Sequence, residues 1–240
     1  MEIQKQYDKR GVMNRTKGQM YSWCSHTVNP IRGQCPSMCR YCYVKTSRVK
    51  NLYQGAPHLI ESFFEKGLGK GKTIFVGSCF DLFAKGIESR WIENILIHCK
   101  KYPENIYLFQ SKNTQNMYRY EPYFPSKIVV GTTAETDVPI PMISKAPSPI
   151  ARLVWLKQFA SIDKMISIEP VIEFNLRIFL HNIKSVKPNF VSIGADSKNH
   201  HLPEPPSEKI KELIQELRKF TEVKIKHNLK RLCPDIFMTS

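Results

Sequence analysis

The chain has 240 residues, 42% of them hydrophobic, and a formal net charge of +15. That length and apolar content fit one large domain or two small ones with a true core. No run of 18 apolar residues exists to span a membrane, and Met1-Glu2-Ile3-Gln4-Lys5-Gln6 lacks the apolar centre of a signal peptide. Seven cysteines without a secretion signal fit a reducing, cytoplasmic setting rather than a disulfide framework.

Residues 1–20 are polar and basic, with Gly11 and Gly18, and read as an extension to a single domain over 21–240. Residues 1–50 hold 10 Lys/Arg against only Glu2 and Asp8, a balance of +8. Such a block attracts polyanions, DNA or RNA, by releasing their condensed counterions. A solvated, lysine-rich surface produces the same count.

Tyr21 to Val28 reads as a first strand running through Asn29-Pro30 into Cys35-Pro36-Ser37-Met38-Cys39-Arg40-Tyr41-Cys42-Tyr43. Thiolates are soft ligands that favour zinc, Cu(I) and iron–sulfur clusters. A closed four-iron cluster uses four cysteines, and this loop offers three at C-x₃-C-x₂-C spacing. A cubane held here keeps one iron without a protein ligand, and an open position marks a working metal, as in catalytic zinc sites. The plainer alternative is a zinc knuckle completed by His26 or Cys24. Zinc sites pair two short-spaced ligand couples, and no second such couple exists; His200 and His201 are adjacent, which suits no chelate.

After a short helix over 39–47 the elements alternate. Leu59 to Lys66 is helix-like. Thr73–Val76, bounded by Gly71 and Gly77, is a buried strand. Residues 88–101 form a helix with Trp91, Ile92, Ile95, Leu96 and Cys99 on one face. Strand 106–109, helix 114–120, strand 128–130, helix 149–160, strand 165–168, helix 174–183, strand 190–193, helix 207–220 and strand 223–226 follow. Pro149 sits at a tolerated first-turn position. Alternation of short apolar strands with helices predicts an α/β fold with a parallel sheet, specifically an incomplete (β/α)6-type barrel in a single domain.

Active sites of parallel barrels lie at the C-terminal strand ends. Just past the strands stand Gly77-Ser78-Cys79-Phe80-Asp81, Gln110-Ser111-Lys112-Asn113, Gly131-Thr132-Thr133-Ala134-Glu135, Glu169-Pro170, Gly194-Ala195-Asp196 and Lys226-His227-Asn228. Any one polar loop is ordinary; six on one face converge on one cavity. His98, Cys99 and His181 fall on helices as core or surface residues, and Cys233 has no evident partner.

The C-x₃-C-x₂-C loop, with an aromatic before its last cysteine, resembles the signature of the radical S-adenosylmethionine enzymes. The wider segment Val28-Asn29-Pro30-Ile31-Arg32-Gly33 running into Cys35 is similar to the spore photoproduct lyase-like branch and to an uncharacterised phage-associated family with radical-SAM-type signatures. The resemblance implies an open six-unit barrel and a 4Fe–4S cluster on Cys35, Cys39 and Cys42. It also implies S-adenosylmethionine chelated to the open iron and cleaved to a 5′-deoxyadenosyl radical, with a flavodoxin- or ferredoxin-type electron donor. It places Gly77 and Ser78 near the methionine amine, although the Gly-Gly-Glu common there is missing, with Asp81 as the acidic partner. Thr132, Thr133 and Glu135 become candidates for the ribose hydroxyls or the carboxylate, Arg152 for a fork on the carboxylate, and Tyr41 for the adenine. Glu169 lies in a Ser-Ile-Glu-Pro stretch similar to one in the phage-associated family. In the lyases a non-ligand cysteine after the second strand returns a hydrogen atom to the product radical, which offers Cys79 for that role. Three functions stay open: a radical enzyme on nucleic acid, one on a small molecule or peptide, and a non-catalytic zinc or iron–sulfur protein.

Overall fold

The computed structural model describes residues 13–16 and 23–237. Most of the basic extension expected over 1–20, and the start of the first strand at residues 21–22, lie outside them. The strands are β1 (Met13–Arg15), β2 (His26–Val28), β3 (Ile31–Arg32), β4 (His58–Leu59), β5 (Thr73–Val76), β6 (Ile106–Gln110), β7 (Ile128–Thr133), β8 (Asp163–Ile168), β9 (Phe190–Ile193) and β10 (Glu222–Ile225). The helices are α1 (Ser62–Glu65), α2 (Ser89–Lys100), α3 (Thr114–Tyr118), α4 (Pro149–Leu156), α5 (Leu176–Val186) and α6 (Ser207–Arg218).

One sheet runs β1-β2-β5-β6-β7-β8-β9-β10; β1 is antiparallel to β2 and every later pair is parallel. The sheet stays open, so the fold is an incomplete parallel α/β barrel. Among the described residues no helix is long and apolar enough to cross a membrane.

The helices follow their apolar spacing. Ile92, Ile95, Leu96 and Cys99 bury one stripe of α2, and Ile210, Leu213, Ile214 and Leu217 one stripe of α6. Asn113, Ser148 and Asn175 cap α3, α4 and α5, each side chain accepting from the amide three residues on. Strand residues alternate between two cores. Ile74, Val76, Tyr107, Phe109, Val130, Ile166, Ile168, Val191 and Ile193 join the core that also holds the buried residues of the helices. Phe75, Leu108, Met165 and Phe190 pack with Cys24, Trp23 and Val129 in a second, smaller cluster. Gly131 makes room for that filling, because a Cβ there would run into Met165 Sδ.

Register lines up the strand ends. Val28 pairs with Val76, Thr133 with Ser167, Ile168 with Ile193, and Ile193 with Ile225. The residues that follow therefore emerge along one edge of the sheet.

Several elements differ from the sequence reading: the first strand, expected from Tyr21, begins only at His26, and the helix expected over 149–160 ends as α4 at Leu156. The expected helix 59–66 shrinks to α1, because Leu59 is taken into a two-stranded ribbon opposite the buried Ile31, and Gly67 and Gly69 follow closely. The short helix over 39–47 is a 3-10 turn at Tyr43–Thr46. Strand β7 runs on to Thr133, so Thr132 and Thr133 belong to the strand. Strand β1, inside the expected extension, covers the edge of β2, as natural sheets commonly protect their edges.

Candidate active site

The cysteine loop leaves β2 and β3 and meets the strand ends around a cavity of about 340 Å³. Cys35, Cys39, Tyr41, Cys42, Gly77, Ser78, Cys79, Asp81, Thr133 and Glu169 all line it. Phe75 and Phe80 add apolar surface to its lining.

Three predicted site residues do not line the cavity. Thr132 is fully buried and donates to Ser111 O at 2.7 Å. Glu135 and Arg152 form an ion pair whose side chains are both 0% exposed, with Arg152 Nη1 2.8 Å from Glu135 Oε2. The guanidinium also donates to Pro147 O at 2.7 Å and Thr133 O at 2.9 Å, while its Nη2 has no partner among the described residues. The fork expected on a ligand carboxylate is thus engaged by a protein carboxylate. Tyr41 completes the group by donating its hydroxyl to Glu135 Oε1. Burial first, then the Glu135 charge, holds the Tyr41 phenol well above its ordinary pKa.

The cysteine loop is pinned from two sides. Arg40 N donates to Ile143 O at 2.8 Å and Lys145 N to Ser37 O at 2.9 Å, so the segment after β7 lies against the motif. Arg40 Nη2 reaches His200 O at 2.7 Å, tying the motif to the loop after β9. Met38 takes a left-handed φ of 48° between the first two thiols. The Cys35 thiol is pushed up to about 11, by burial and then by the nearby Asp81 charge; burial also raises Cys42.

At the end of β5 the chain turns through Gly77, whose φ is +83°. A Cβ there would come within 2.7 Å of Phe80 O, so the turn needs glycine. Asn29 braces this turn, with Cys79 N donating to Asn29 Oδ1 at 2.7 Å. Tyr43 donates its hydroxyl to Ser78 O at 2.8 Å and lies 3.5 Å from Cys79 Sγ. Asp81 accepts from Ser111 Oγ at 2.6 Å and Lys112 N at 2.8 Å. On the far wall Glu169 binds Lys226, and Asn228 donates to Glu169 Oε1 at 2.7 Å. Gly194 leaves the space for that contact, since a Cβ would sit 2.9 Å from Glu169 Oε1.

Lys112 was visible in a polar strand end but carried no assigned role. Its Nζ donates to Thr133 Oγ1 at 3.1 Å and lies 5.5 Å from the centre of the Tyr41 ring. Burial pulls its pKa down, but Cys39 and Glu135 outweigh this and leave it raised. Ser144 was also missed; it lies in an irregular segment with no sequence signal, yet its hydroxyl is 3.3 Å from Cys39 Sγ.

The donor set fits an iron–sulfur cluster better than a zinc ion. The three motif cysteines all line the cavity, and among the described residues no three His, Cys, Asp or Glu side chains converge on a single-ion site. A cluster that takes one thiolate per iron needs no such convergence. The fourth ligands of a zinc knuckle are also misplaced. Cys24 packs in the second core with its thiol pushed up to about 12 by burial. His26 binds Ser25 Oγ at the start of β2, and neither residue lines the cavity.

Solved structures share the fold. A single-residue mutant of spore photoproduct lyase superposes with a TM-score of 0.58 at 10% identity, over 92% of this chain and 78% of that one. Spore photoproduct lyase complexed with dinucleoside spore photoproduct gives 0.54 at 10% identity, over 88% and 65%. Streptococcus suis SuiB bound to S-adenosylmethionine gives 0.55 at 9% identity, over 85% and 51%. In each case the likeness is one of fold, to the open barrel. No curated protein matches the chain. Residues 19–207 match the model of the family described as "Protein of unknown function (DUF5131)", and the chain belongs to that family.

Proposed function

We propose that this protein is a radical S-adenosylmethionine enzyme that acts on nucleic acid. The observation that carries the reading is the meeting of three thiols from one loop with the polar ends of the parallel strands around a single cavity. Cys35, Cys39 and Cys42 would hold a 4Fe–4S cluster. Bound there with S-adenosylmethionine and given one electron by a flavodoxin- or ferredoxin-type donor, such a cluster supplies a 5′-deoxyadenosyl radical that removes hydrogen from substrate.

The chain's own residues prepare the site. Lys112 presents an ammonium to the cavity and, among the described residues, pairs with no carboxylate side chain. It therefore replaces Arg152 as the cation for the methionyl carboxylate. A charge-assisted hydrogen bond contributes about 1.5–3 kcal/mol. Lys112→Met should accordingly raise the S-adenosylmethionine concentration for half-maximal cleavage roughly 10- to 100-fold. An unchanged requirement would remove Lys112 from this role. Asp81, held by Ser111 and the Lys112 amide, faces the same cavity and suits the methionyl amine. Cys79 stands beside the Tyr43 hydroxyl, where its S–H can pass a hydrogen atom to a carbon radical, leaving one unpaired electron on sulfur. Cys79→Ala should then keep 5′-deoxyadenosine formation while deuterium-traced product falls; an unchanged product yield would leave Cys79 as a wall residue.

Support for a polyanionic substrate comes from the exposed Arg40, Lys45, Arg48 and Lys50 on and beside the motif. The likeness to a lyase complexed with a dinucleoside photoproduct adds to it. A peptide substrate is the second reading, favoured by the likeness to SuiB bound to its precursor peptide, at a TM-score of 0.58. The test is anaerobic reconstitution with iron and sulfide, then S-adenosylmethionine and dithionite. The expected result is a brown protein that forms 5′-deoxyadenosine and binds DNA or RNA oligonucleotides with strong salt dependence. Purified protein with one zinc and no sulfide would refute the radical reading, and absent oligonucleotide binding would shift the substrate to the peptide class.

A further inference from the structure

We infer that Ser144 is a positioning residue that sets the reduction potential of a metal cluster through a hydrogen bond to the Cys39 sulfur; this rests on the cluster reading above. Cys39, the most buried of the three motif cysteines, has a side-chain hydroxyl beside its sulfur, Ser144 Oγ at 3.3 Å.

The local geometry leaves that hydroxyl little freedom. Ser144 is 3% exposed, and its amide donates to Ile140 O at 3.0 Å. On either side, Ile143 O accepts from Arg40 N and Lys145 N donates to Ser37 O. Ser144 Oγ accepts from Ala146 N at 3.2 Å, so its single proton has two acceptors within reach: Ser37 O at 3.2 Å and the Cys39 sulfur.

Proton bookkeeping decides between them. While Cys39 is a thiol it can donate, and the Ser144 proton is satisfied by Ser37 O. A metal-bound Cys39 has lost its proton and only accepts. Hydrogen bonds to an ionised acceptor are roughly twice as strong as neutral ones. The Ser144 proton then turns to sulfur, and Ser37 O keeps the Lys145 amide, so no buried polar group is stranded. Hydrogen bonds to cluster sulfurs are among the factors that set the potential. A donor stabilises the more negative, reduced form, so Ser144 raises the potential.

The experiment is a potentiometric titration of the reconstituted protein, followed by electron paramagnetic resonance of the reduced cluster. Ser144→Ala should shift the midpoint to a more negative value, and Ser144→Thr, which keeps the hydroxyl, should stay near wild type. Ser144→Gly replaces the alanine variant if that one fails to fold. Equal midpoints in wild type and the hydroxyl-free variant, with four irons bound in each, overturn the inference while leaving the radical reading intact. A threonine variant shifted as far as alanine also overturns it. Wild-type protein that takes zinc and no sulfide overturns both together.

Discussion

Alanine in place of Cys35, Cys39 or Cys42 is expected to abolish cluster binding and bring 5′-deoxyadenosine below detection. On the proposed reading each thiolate would hold one iron, so losing any one leaves an iron without its protein ligand. Among the described residues the other cysteines lie elsewhere, except Cys79: Cys24, Cys99 and Cys233 are buried in the cores and do not line the cavity. They supply the control. Cys99→Ala should cost only about 1 kcal/mol of stability, as for a small buried side chain, and should keep iron, sulfide and colour. Iron and sulfide per chain, visible absorption and product chromatography read the outcome. A full complement of iron with cleavage activity in any motif variant would show that the assigned ligands are wrong.

Glu135→Ala should be among the most destabilising single changes in the chain. It removes one half of a fully buried ion pair and leaves the Arg152 guanidinium against two carbonyls, with Nη2 already lacking a partner. Removing one partner of such a pair costs about 3–5 kcal/mol. At this chain length that is roughly a 10 °C fall in Tm. The Tyr41 hydroxyl loses its acceptor as well, so the effect reaches the motif between Cys39 and Cys42. Tyr41→Phe removes only that hydrogen bond and should cost about 1 kcal/mol. Replacing Glu135 and Arg152 together by Leu and Met strands no charge and should cost much less than the sum of the single losses. Thermal melts of the three variants, with Arg152→Met alone as the second single change, decide the matter. A Glu135→Ala protein within about 1 kcal/mol of wild type would mean that the guanidinium finds water or another acceptor.

The parts of the fold that could be read from sequence were those written in local periodicity. Helix α6 announces itself through Ile210, Leu213, Ile214 and Leu217, and β5 through Thr73–Val76 between glycines. The polar ends of the parallel strands could be foreseen because each follows an apolar run directly. Leu59 was misread because it is apolar in either a helix or a ribbon, and only its partner Ile31, far along the chain, decides. Arg152 was legible as a cation near the site, but its engagement by Glu135 depends on how α4 packs against the end of β7. Ser144 sits in an irregular segment where neither period nor capping marks a role. Residues whose function depends on a distant neighbour leave no local trace.

The bonds between the cysteine loop and residues 143–145 also bear on the order of assembly. Ser37 and Lys145, Arg40 and Ile143, and Cys39 and Ser144 are each more than 100 positions apart in the chain, yet they meet in the finished molecule. Contacts of such long separation form late, after the cost of closing the intervening loop has been met. The three thiols therefore do not acquire their final spacing while the N-terminal third of the chain is being made. A fragment ending before β7 would present the motif as an open loop, and a metal captured then would meet a different geometry. On the proposed cluster reading, loading would follow folding, with iron and sulfur delivered to a barrel whose later strands are already in place.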